Sequence, residues 1–215
     1  KAALDAVVIK QGVFNLVFHP HGWIKAEQIV ELIEYAVTKH GRKVKFLTFR
    51  EALDRINRNL LSDNPLRHSN DGSDNGVRIL DVNNDGYLDA VIANDTAQVT
   101  RIWVPQTMSW NNSSFPLRLV DSLKTGEGLP KCDSTARFGV VRPDGKASLV
   151  PWHVLVPRGW HFDGQQWKET PSLTQGFSKG ALHFGAVRLW RFGLNLRDLD
   201  GDGCCEAIVK DHQHD

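Results

Sequence analysis

Residues 13–18, VFNLVF, form an almost unbroken apolar run that ends on His19, Pro20, His21 and Gly22. That pattern predicts a buried parallel strand delivering polar residues at its C-terminal edge. The period then changes. In AEQIVELIEYAVTKHG the apolar positions Ile29, Leu32, Ile33, Ala36 and Val37 recur three and four residues apart, which predicts an amphipathic helix closed by Gly41 after a basic last turn. KVKFLTF reads as a second strand and REALDRINRNLL as a second helix, so the first sixty residues predict the β-α-β-α order of an α/β layer structure.

The pattern breaks at LSDNPLRHSNDGSDNG, residues 61–76, where Ser, Asp, Asn, Gly and Pro dominate and predict a linker or long surface loop. Beyond it the grammar is that of short strands. GVRILDV and YLDAVIAN are Val- and Ile-rich runs on either side of an acidic turn, and STARFGVVRPDGKASLVPW places Pro143, Asp144 and Gly145 between two apolar runs. GWHFDGQQWKE does the same with Asp163 and Gly164, and both stretches predict β-hairpins. The expected division is therefore an α/β segment at 1–61, a linker at 62–76 and an all-β region at 77–215.

Candidate chemistry lies in the acidic turns. DVNNDGYLD, residues 81–89, puts Asp81, Asn83, Asp85 and Asp89 at alternate positions with Gly86 at the bend, and DLDGDGCCE, residues 198–206, repeats the spacing with Asp198, Asp200, Asp202, Gly203 and Glu206. Oxygen-bearing side chains on every second residue suit Ca2+, which takes six to eight oxygen ligands. In each loop the seventh-position main-chain carbonyl, from Tyr87 or Cys204, completes the expected ligand set. An EF-hand is excluded, because its bidentate Glu at position 12 is replaced by Ile92 and Val209 and the flanks read as strands.

Composition narrows the class. The 215 residues are 41% hydrophobic with mean hydropathy −0.33, and no stretch approaches the roughly 20 apolar residues of a membrane helix. With 26 basic and 25 acidic residues and no basic run interleaved with aromatics, nucleic acid is not an expected partner. Six of the seven tryptophans fall at 103, 110, 152, 160, 167 and 190, where core packing is the first reading and sugar stacking the alternative. Cys132, Cys204 and Cys205 make neither a disulfide framework nor a zinc pair, and leave both one bridge from Cys132 and free thiols open. Asn111 and Asn112 each open an N-x-S pattern. Calcium loops favour an extracellular or periplasmic setting, where millimolar calcium fills weak sites.

Two resemblances add expectations. An apolar strand, DxNxDGxxD or DxDxDGxxE, then another apolar strand resembles the FG-GAP or VCBS repeat, and this implies propeller-like blades with calcium in the inter-strand loops. Residues 10–60 resemble the closing segment of a polysaccharide deacetylase of the NodB type, a distorted (β/α) barrel. That resemblance implies His19 as general acid, protonating the leaving amine, and His21 as a substrate-binding residue; a histidine suits the work because its pKa lies near neutrality. The family's divalent metal, such as Zn2+, is held by an Asp and two His of an earlier motif that this sequence does not contain, so the chain alone is expected to be inactive. Both ends read as cut inside domains. The implied protein is a modular extracytoplasmic carbohydrate deacetylase acting on a polysaccharide or other glycan. The alternative is a non-catalytic, calcium-stabilised propeller module that binds carbohydrate or protein.

Overall fold

The computed structural model describes residues 1–19, 22–121, 132–133, 136–151, 158–175 and 194–209. The chain divides into two compact units, Lys1–Arg55 and Ile56–Asp215.

The first unit is helical among the described residues. It holds α1 (Ala2–Ile9), α2 (Ala26–His40) and α3 (Phe49–Arg55). At the start of α2 the Lys25 backbone N–H donates to Gln28 Oε1 at 2.9 Å, and Gly41 ends the helix at φ 54°. Asp5 ties α1 to α2: its carboxylate accepts from Tyr35 Oη (2.7 Å) and Lys39 Nζ (2.8 Å) and faces His40 Nε2 at 2.6 Å. The Lys39 ammonium, with the Tyr35 and His40 contacts, holds the Asp5 carboxyl well below the usual carboxylate range.

The helices form as expected and the two strands do not. Residues 12–19 and 44–48 form no strand, and Phe49 already belongs to α3. A parallel strand exists only by hydrogen bonding to a neighbour, so apolar composition alone does not make one. The consequence is exposed apolar surface. Val13, Val17, Phe46 and Phe49 stand open, as do Val30, Ile33 and Val37 on α2, whereas among the described residues of this unit only Leu4 and Ala36 are buried.

The second unit is made of antiparallel β-sheets. β1 (Val77–Leu80), β2 (Asp89–Ala93), β3 (Gln98–Val104) and β4 (Ser109–Ser114) pair in chain order as one four-stranded meander. A small pair, β5 (Val120–Asp121) and β6 (Cys132–Asp133), follows. β7 (Arg137–Val140), β8 (Ala147–Val150), β9 (Trp160–Phe162) and β10 (Trp167–Glu169) form a second four-stranded meander, and β11 (Leu194–Arg197) with β12 (Glu206–Val209) forms a hairpin. The expected hairpins at Gly145 and Gly164 are thus β7–β8 and β9–β10, with both glycines at positive φ, 74° and 107°.

Alternation along β2 builds two cores. Val91 and Ala93 face the second sheet and join Ile102, Leu149, Phe162 and Trp167, while Ala90 and Ile92 face the other way onto Val77 and Leu61. Trp167 anchors the inter-sheet core: its Nε1 donates to Thr100 Oγ1 at 2.8 Å and its ring meets Phe115 and Phe162 edge-on. Ile56 and Leu60, on a π-helical turn, cover the opposite face of the first sheet. Residues 61–76 are a folded-back loop. Arg67 bridges to Asp74, Asp74 pairs with Arg78 at 2.6 Å, and Asn75 Nδ2 donates to the Pro65 carbonyl at 2.8 Å.

Candidate metal centre

Each acidic loop closes an antiparallel strand pair in the same register. Leu80 pairs with Asp89 across β1–β2, and Arg197 pairs with Glu206 across β11–β12. A sharp loop needs residues at positive φ, and both loops place them at positions four and six: Asn84 (62°) and Gly86 (82°) in the first, Gly201 (81°) and Gly203 (87°) in the second.

The internal wiring is also shared. The position-six N–H donates to the first aspartate, from Gly86 to Asp81 Oδ2 (2.8 Å) and from Gly203 to Asp198 Oδ2 (3.0 Å). The position-seven N–H donates to the fifth-position aspartate, from Tyr87 to Asp85 Oδ1 (2.9 Å) and from Cys204 to Asp202 Oδ1 (2.7 Å). The position-five N–H reaches the third residue, from Asp85 to Asn83 Oδ1 (3.3 Å) and from Asp202 to Asp200 Oδ1 (3.1 Å). Finally the position-two N–H donates to the ninth residue, from Val82 to Asp89 Oδ2 (2.9 Å) and from Leu199 to Glu206 Oε2 (2.8 Å). These bonds turn the oxygens toward the inside of each loop.

The loops differ in how far their oxygens converge. In the second, one oxygen each of Asp198, Asp200 and Glu206 lie within 4.8 Å of one another, and no other acidic, His or Cys group among the described residues meets that limit. Such an all-oxygen set could hold a metal ion. In the first loop Asp89 is fully buried, and its second oxygen is also taken, by the β3 backbone N–H of Trp103 at 2.8 Å. Burial pushes the Asp89 carboxyl up to about 6, against the pull of its two backbone donors.

Both loops grip the same hairpin. Ala147 N–H donates to Val82 O of the first loop at 2.9 Å, and Cys205 N–H of the second donates to Val140 O. Val140 and Ala147 are register partners, the last pair before the β7–β8 turn. That turn is fitted to the first loop, since a Cβ on Gly145 would lie 2.1 Å from Asn84 Nδ2. Its Asp144 continues into the second sheet: Oδ2 meets His161 Nε2 at 2.9 Å, and His161 Nδ1 meets Ser148 Oγ at 2.9 Å. With Ser148 fully buried and His161 nearly so, this Ser-His-Asp chain braces the hairpin rather than presenting a nucleophile.

Among the residues expected from the deacetylase resemblance, His19 is exposed and stacks edge-on with Trp23 at 5.0 Å between ring centroids, and His21 lies outside the described residues. Cys204 and Cys205 are free thiols, and the three acidic neighbours of Cys204, after its own burial, push its pKa up. Sequence reasoning missed the Trp103 donor, the Asn84–Gly145 contact and the Asp144–His161–Ser148 chain. All three join residues from different strands, and only the His161-Phe162 pair between two tryptophans hinted at a polar side chain in an apolar strand. Compared with known protein families, curated proteins and solved structures, the chain gives no significant match in any of the three.

Proposed function

We propose that residues 56–215 are a calcium-held, propeller-like β module of an extracytoplasmic protein that binds glycan, and that Asp81, Asn83 and Asp85 of one loop and Asp198, Asp200, Asp202 and Glu206 of the other supply its side-chain ligands. The observation that carries this reading is the repetition of one hydrogen-bond scheme and one strand register in two loops far apart in sequence. Two four-stranded meanders, with the β5–β6 pair between them and a further hairpin after them, support the blade-like part of the reading. The cation neutralises crowded carboxylates and fixes each loop, so that Val82 and Cys205 hold the β7–β8 hairpin from both sides. Partial ligand sets of this charge suit the millimolar calcium outside the cytosol.

The preceding segment keeps its resemblance to a deacetylase end as a second part of the proposal, with His19 as acid when the remaining motifs and their divalent metal are supplied. The exposed apolar face of α2 favours a larger fold around it. No helix among the described residues is long and apolar enough to cross a membrane.

The test is calorimetric unfolding with calcium and with chelator. A ligand bound only by the folded state at about a hundred times its Kd adds about 2.7 kcal/mol, which for a unit of this size raises Tm by about 5–10 °C. Identical melting curves in both conditions overturn the reading.

A further inference from the structure

The outer face of the first sheet, opposite its contact with the second, carries Arg101 and Trp103 from β3 and Trp110, Asn112 and Ser114 from β4. The register places Arg101 against Asn112 and Trp103 against Trp110. Arg101 is 8% exposed, yet only its Nη2 has a partner, the Asn59 carbonyl at 3.1 Å. Its Nε and Nη1 are buried without acceptors, and so is the indole Nε1 of Trp103. No acidic side chain among the described residues pairs with this guanidinium, and desolvation pulls its pKa down. These three donors belong to neighbouring residues of one sheet face, and besides the Asn59 carbonyl the guanidinium meets the Trp110 ring.

A buried cation with unfilled N–H groups is costly; the Trp110 ring offsets part of that cost, and an anion that also accepts hydrogen bonds answers the N–H groups the ring does not. Arg presents a planar donor array matched to carboxylate. The wall of the patch then narrows the ligand further. The guanidinium lies 4.8 Å from the centre of the Trp110 ring, the two indoles are 5.0 Å apart and tilted by 56°, and exposed Asn112 and Ser114 stand on the same face of the edge strand. Indole faces take the apolar face of a sugar ring, and an amide and a hydroxyl take its OH groups. We propose that this face is a binding site for an acidic saccharide, with Arg101 and the Trp103 indole N–H receiving the carboxylate of a uronic acid residue and Trp110 stacking on the ring. The site is separate from both acidic loops and does not depend on the calcium reading. Trp110, which lies against the guanidinium, is the reporter of a carboxylate arriving there.

The whole chain is titrated with a galacturonic acid oligosaccharide, the matching neutral galactose oligosaccharide, and a glutamate-rich peptide, reading tryptophan fluorescence and binding heat. The expected result is saturable binding of the uronate oligomer alone, weakened by about tenfold or more in Arg101→Gln, as removal of one charged bidentate donor predicts. Circular dichroism checks that variant for folding. Trp110→Phe, which offers the sugar a smaller ring, weakens uronate binding in the heat measurement and removes the Trp110 part of the fluorescence change. Lack of uronate binding, equal binding of the neutral oligosaccharide, capture of the acidic peptide in place of the sugar, or full affinity in a folded Arg101→Gln each overturns the proposal.

Discussion

The two acidic loops share a spacing, a strand register and a set of backbone hydrogen bonds, yet their ninth residues do different work. In the first loop Asp89 lies beneath β3, fully buried, with one oxygen on Val82 N–H and the other on Trp103 N–H. In the second, Glu206 is only half-buried, accepts from Leu199 N–H, and converges with Asp198 and Asp200 within 4.8 Å. One extra methylene and the lack of a third strand among the described residues leave Glu206 freer to face a cation. A ligand pattern read from spacing thus splits, on contact with neighbouring strands, into a residue that serves the fold and one left open to the proposed cation.

Substitution of these two residues gives the largest effect. Asp89→Ala orphans two backbone donors, those of Val82 and Trp103, and at about 1–3 kcal/mol for each unsatisfied group the metal-free β unit loses about 2–6 kcal/mol in denaturant unfolding. Glu206→Ala in the same assay costs under about 0.5 kcal/mol, as for surface changes generally. Equal losses would erase the distinction between the loops.

The pH response sharpens it. Asp89 has its folded-state carboxyl raised to about 6, above the ordinary 3.8, so the folded state favours the protonated form. Metal-free stability is therefore greatest below about pH 4 as far as this group is concerned and declines as pH rises through 6, by on the order of 1–2 kcal/mol after solvent screening. Asp89→Asn flattens that slope, measured as the difference in unfolding free energy between pH 4.5 and pH 7.5, whereas Glu206→Gln leaves it in place.

A smaller effect tests the grip on the shared hairpin. Gly145→Ala forces a side chain onto a residue at φ 74° and against Asn84, which costs about 1 kcal/mol. Adding Asn84→Ala returns part of that loss; strict additivity of the two changes would show that the contact is not shared. Asp200→Asn is expected to leave metal-free stability within about 0.5 kcal/mol and to act on calcium affinity alone, seen by titration calorimetry.

What was legible in the sequence was local. The Asp-rich spacing, the positive-φ glycines and the strand runs around Asp144-Gly145 and Asp163-Gly164 each depend on a few consecutive residues, and all give the expected hairpins. The amphipathic period of α2 forms the helix but hides only part of its stripe, because burial needs a partner that periodicity does not name. Val13–Phe18 shows the same limit, since its apolar composition does not supply a sheet neighbour. Asp89 looked like one ligand among five, and only the arrival of Trp103 N–H from β3 gives it a second role. Arg101 was invisible for the same reason: its unfilled donors follow from the sheet face it shares with Trp110.

The central claim proposed, two cation loops with one backbone wiring on one β module, is tested most directly by calcium titration calorimetry of the whole chain beside two variants, Asp81→Asn/Asp85→Asn and Asp198→Asn/Asp200→Asn. The account predicts two calcium ions per chain, one per chain in each variant, and none when the four substitutions are combined in a chain that still shows its β circular dichroism. Unchanged stoichiometry in either variant, or no binding heat at millimolar calcium, contradicts it.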